Sequence, residues 1–136
     1  MLPEVSLNYL AILACVVASM VLGYLWYSMG VFGRPWMNLI GKVEADLKKG
    51  AASSAGLALP LAFITAFVFA HIIDYVNATT VMDGLVTGFW LWLGFVFTTV
   101  AMQNLFAQRP FTLTAINVGY HLVQFLIFGA ILAAWQ

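Results

Sequence analysis

Three residues near the end of the chain, Asn117, His121 and Gln124, combine side chains that can hydrogen-bond, hold a solute or carry a proton. Spaced four and three apart, they would form one stripe along an α-helix. Histidine ordinarily changes charge near neutral pH, and amides beside it can orient its ring or a polar guest. Gln103 and Asn104, with Thr98 and Thr99, supply further polar groups shortly upstream. Two accounts compete for this set. The leading one is an interhelical hydrogen-bond seam, each bond contributing about 0.6 kcal/mol. The rival is a polar path or small-solute site with His121 as its titrating group.

A second set lies earlier. His71 and Asp74 are three apart and could meet on one helix face, with Asp83 near enough in sequence to join them. Such a cluster could switch with protonation, or could be a solvated pair at a helix end, which is the leading reading. Two histidines also raise haem ligation, but His71 belongs near the end of its segment and His121 near the middle of its own, so one iron would not suit both within a chain, which leaves pairing between copies. The single cysteine, Cys15, excludes an internal disulfide and a thiolate metal cluster. There is no nucleophile-elbow pattern, no HExxH and no phosphate loop. A non-enzymatic protein without cofactor or metal is expected.

The elements that must carry these residues follow from composition. The chain has 136 residues, 64% hydrophobic and 7% charged. A water-soluble domain has roughly 25% charged residues, so membrane lipid is the expected outer solvent. Four apolar runs, about 7–29, 54–76, 81–106 and 112–135, are each long enough to cross a core of roughly 30 Å, and in hydrocarbon each must be a helix. The expected fold is an all-α, single-domain antiparallel bundle over 1–136. The first run has no basic residue before it and is too long for a signal-peptide core, so it reads as an uncleaved span. With zero net charge and five Lys plus Arg, nucleic acid is not an expected partner.

Arg34, Lys42, Lys48, Lys49 and Arg109 all fall in the first and third links. The positive-inside rule then places both termini on the outer face of a cytoplasmic membrane. Trp36 to Lys49, after Pro35, predicts a short amphipathic interfacial helix ended by Gly50, with Ser53 and Ser54 capping the next span. The short turn around Asn77 to Thr80 predicts that the second and third spans are antiparallel neighbours. Thr80 and Asp83 have capping-box spacing.

Tyr24, Trp26, Tyr27 and Trp36 gather at the basic boundary, where amphipathic rings anchor a helix at headgroup depth. Gly84-x-x-x-Gly88 marks close helix approach, within the chain or between copies. Four short helices bury few side chains, which favours a homo-oligomer. The leading functional expectation is therefore a self-associating, non-enzymatic membrane protein. The alternatives are a small transporter or channel using the third and fourth spans, and a membrane haem carrier or enzyme.

Gly23-Tyr24-Leu25-Trp26-Tyr27-Ser28 through Phe32-Gly33-Arg34-Pro35-Trp36-Met37, with Asn117-Val118-Gly119-Tyr120-His121-Leu122, resembles the domain of unknown function 1761 family. The resemblance implies a small bacterial integral membrane protein with about four helices. It implies no activity and no ligand.

Overall fold

The computed structural model describes residues 2–136, and every regular element among them is helical. Helix α1 is Tyr9–Trp26, α2 Gly33–Ile40 and α3 Glu44–Tyr75. A rod over Val81–Phe106 follows, built of α4 (Val81–Leu91), a π-helical turn (Trp92–Phe97) and α5 (Thr98–Phe106). Helix α6, Phe111–Ala134, closes the chain. Four of these pieces, α1, α3, the rod and α6, are long and apolar enough to cross a membrane.

Local chemistry sets most of the ends. Asn8 accepts hydrogen bonds from the Leu10 and Ala11 N–H groups, capping α1. Thr80 accepts from the Asp83 N–H while the Asp83 carboxylate accepts from the Thr80 and Thr79 N–H groups, a capping box that starts the rod. Pro110 is the N-cap of α6, and Gly41 ends α2 at a φ of 72°.

The stretch 36–49 departs from expectation. It is not one interfacial helix: α2 ends at Ile40, and Glu44 to Lys49 form the start of α3. Gly50, Ser53 and Ser54 lie inside α3 and neither stop nor cap anything. The cap is made upstream, where the Val43 N–H donates to the Asp46 carboxylate at 3.2 Å. A lone interior glycine costs only about 1 kcal/mol, too little to break a helix that is capped on one side and apolar on the other. Lys48 and Glu44 pair at 3.4 Å on this first stretch.

Helix α6 is the hub. It packs on α1, on α3 and, most extensively, on α4. Helix α3 and the rod, although joined by a short turn, hardly touch beyond it, which corrects the expectation that they are packed neighbours. The core lies where α1, α3 and α6 meet, with Ile12, Cys15, Ala66, Phe69, Ile73 and Phe128 buried together. The two chain ends share one end of the molecule: Asn8 donates to the Trp135 carbonyl, and Gln136 donates to the Ala78 carbonyl in the α3–α4 turn.

Candidate functional site

Halfway along α6, one face turns toward α1 and carries Tyr120, His121 and Gln124. Gln124 Nε2 donates to Ser19 Oγ at 2.8 Å, and both residues are buried, at 6% and 4% exposed. Ser19 Oγ lies 3.0 Å from the Tyr120 hydroxyl, which donates to the Ser19 carbonyl at 3.0 Å. His121 Nδ1 is 2.8 Å from Gln124 Oε1. Burial of these groups in an apolar core is tolerable because each finds a partner, and no buried side-chain N or O among the described residues lacks one.

One arrangement of hydrogens satisfies every contact. Let Gln124 donate to Ser19, Ser19 to Tyr120, Tyr120 to the Ser19 carbonyl, and His121 to Gln124 Oε1; all four contacts are then made. Turning the amide over would take the Ser19 hydrogen, leaving the single Tyr120 hydrogen to serve two acceptors, and one contact is lost. In that arrangement an uncharged imidazole holds its hydrogen on Nδ1 and offers a lone pair at Nε2. His121 is half-buried and Nε2 has no partner within the protein, yet it is not sealed off from outside.

What it reaches is a cleft. Because α3 and the rod diverge, a cavity of about 390 Å³ opens between them with α6 as its floor. Ser19, Thr65, Thr99, Tyr120, His121 and Gln124 form its polar part, and Ala58, Leu61, Phe95, Val96 and Phe125 much of the rest. An adjoining volume of about 210 Å³ shares Thr65, Phe95, Val96 and Phe125 and continues along Ile64, Val68, Ile72 and Leu91. Phe95 and Val96 belong to the π-helical turn, which lies directly across the cleft from α3. Such turns recur at functional sites because they re-aim side chains. Leu61 and Phe95 stand exposed at its lateral mouth.

The aromatic residues divide. Tyr24, 80% exposed, suits a boundary anchor. Trp26 and Tyr27 turn inward instead. Trp26 Nε1 donates to the Ile116 carbonyl at 2.9 Å and its ring packs beside Gly119, while the Tyr27 hydroxyl donates to Asn117 Oδ1 at 2.8 Å. The Tyr27 ring lies 4.8 Å from Trp36 and 5.7 Å from Tyr120. Asn117 thus serves the α1–α6 junction, one turn away from the cleft. Trp92 Nε1 donates to the Val118 carbonyl at 2.8 Å, tying the rod to the same stretch of α6.

Other expected groupings do not assemble. Asn104 donates to Thr114 Oγ1 at 2.9 Å, a seam between α5 and α6, and Gln103 is exposed away from His121. His71 Nδ1 is 2.8 Å from the Phe67 carbonyl and its ring lies 4.6 Å from that of Phe67. It makes no ion pair with Asp74 among the described residues, and Asp83 is occupied by its cap. The outer cluster is three separate local arrangements. No group of three His, Cys, Asp or Glu suited to a metal occurs among the described residues. Gly84 and Gly88 face α6 within the chain: a Cβ on Gly84 would meet the Gly129 backbone, and one on Gly88 would come 2.5 Å from the Phe125 carbonyl oxygen. Reading the sequence missed Ser19, Tyr120 and Thr65. Ser19, a polar residue among small apolar ones on α1, was the available signal.

A model of the family described as "Protein of unknown function (DUF1761)" matches residues 10–133, nearly the whole chain. No curated protein and no solved structure matches it.

Proposed function

Given that this chain belongs to the DUF1761 family, a family of unknown function, we propose that it is an integral membrane protein that binds a small molecule inside the bilayer, without acting on it as an enzyme. It crosses a bacterial cytoplasmic membrane four times as an antiparallel bundle, with both termini on the outer side. The apolar length of four helices and the restriction of all five Lys and Arg to two links support that placement.

The cleft between α3 and the rod carries the binding assignment. Its volume falls in the range of about 300–1,000 Å³ usual for small-molecule sites, and its lining is apolar with a few convergent polar groups. The interhelical seam engages Asn117, Asn104, Ser19 and Gln124, each through at least one hydrogen bond to a neighbouring helix. His121 has a partner at Nδ1 and none at Nε2, and it lines the cleft.

Native mass spectrometry of protein extracted from its own membrane tests the reading. One small molecule per chain should remain bound, be released on denaturation, and be lost when Ala58→Trp fills the mouth. Ala58 is half-buried in the cleft lining and lies outside the α1–α3–α6 core, so that change leaves the core alone. A wild-type chain that carries only bulk membrane lipid in its bulk proportions would defeat it.

A further inference from the structure

The hydrogen-bond inventory of the cleft says more about its guest than its size does. The hydrogens of Ser19, Tyr120 and His121 Nδ1 are all given to partners inside the protein, and Thr65 Oγ1 donates to the Leu61 carbonyl at 3.0 Å. What these groups still offer is lone pairs, Nε2 of His121 and the hydroxyl oxygen of Thr65, beside the second amide hydrogen of the buried Gln124. Thr99 is the one lining hydroxyl without a partner in the protein, and it can turn to suit. A guest with a carbonyl head would set lone pair against lone pair at Nε2. A guest with a hydroxyl would donate to it. Beyond this polar corner the adjoining volume is apolar and runs along α3 between Ile64 and Ile72. No Lys, Arg, Asp or Glu lines either volume, so a charged head would be buried without a counter-charge.

We propose that the cleft takes a neutral long-chain or isoprenoid alcohol or phenol, its hydroxyl donating to His121 Nε2 and its tail lying along α3 toward Ile72. This rests on the cleft being a ligand site and adds the chemical class. The guest enters sideways past Leu61 and Phe95, which stand open at the mouth. Gln124 is a positioning residue here: by accepting from Nδ1 it holds the ring in the tautomer whose other nitrogen is an acceptor.

The test is photolabelling of the full chain in nanodiscs with a long-chain alcohol bearing a diazirine at mid-chain, beside its methyl ether, which has the same tail and no donor. The alcohol should label peptides spanning 58–72 and 91–100 saturably, with the ether needing about tenfold higher concentration for the same labelling. His121→Phe should bring the alcohol down to the ether's level and leave the ether unchanged. The wild-type alcohol-to-ether ratio decides the matter even if that variant does not fold. Equal, saturable labelling by both probes overturns the donor assignment and leaves the ligand site standing. Unsaturable labelling, or a cleft that no probe enters because a second copy of the chain covers it, overturns both.

Discussion

At the scale of single residues, the stripe on α6 is a set of bonds between helices far apart in sequence, and each bond predicts a cost. Gln124→Leu leaves Ser19 and the His121 ring short of a partner in an apolar core. It should lower unfolding free energy by about 1–2 kcal/mol, measured by steric trapping in bicelles. Tyr27→Phe removes one bond to Asn117 at a half-buried site and should cost less, about 0.5–1 kcal/mol. A larger loss for Tyr27→Phe than for Gln124→Leu would mean that the α1–α6 junction, and not the Ser19 network, holds α6 in place. The stripe itself was legible, since 3.6-residue periodicity aligns Asn117, His121 and Gln124 without further information. Their partners were not. Periodicity names a face and never says which other face it meets, so Asn117 on Tyr27 and Gln124 on Ser19, 90 and 105 residues away, had to wait for the fold.

Among the elements, the α4–α6 contact is the closest, and glycine is the reason. Gly84 and Gly129 bring two helix backbones together where no Cβ fits. Gly84→Ala should therefore destabilise by about 1–3 kcal/mol, because backbone and not a pliant side chain lies in the way. Gly56 on α3 has nothing near its missing Cβ, and Gly56→Ala should be neutral or stabilise by up to about 1 kcal/mol through helix propensity alone. Thermal unfolding in detergent separates the two, and equal effects would show that α4 and α6 do not touch this way. Any self-association must then use a surface other than the Gly84-Gly88 face. Apolar length made all four spans legible. The start of α3 was misplaced because Gly50 and the charges before it look like a boundary, whereas continuous backbone bonding from Glu44 carries the helix through them.

For the whole molecule, α3 sets the scale. Its 32 residues extend about 48 Å at 1.5 Å per residue, well beyond a hydrocarbon core of roughly 30 Å. The charged residues Glu44, Asp46, Lys48 and Lys49 lie at its first end, so under the proposed placement the excess of about three turns would stand out of the core there. The opposite end is held together by the Asn8–Trp135 and Gln136–Ala78 bonds, which put both termini and the α3–α4 turn at one level. The cleft lies between these ends, and under the proposed membrane placement its His121 would be reached from lipid sooner than from either aqueous side. Single cysteines placed in a Cys15→Ala background, Cys15 being fully buried, turn this into a measurement. With a membrane-impermeant maleimide, Ser6→Cys and Gln136→Cys should react in intact cells and spheroplasts, while Lys49→Cys should react only in inverted vesicles. Leu61→Cys should resist that reagent from both faces yet react with an apolar maleimide. If Lys49→Cys and Gln136→Cys are labelled from the same compartment, or Leu61→Cys from water, the bilayer is not where this chain places its cleft.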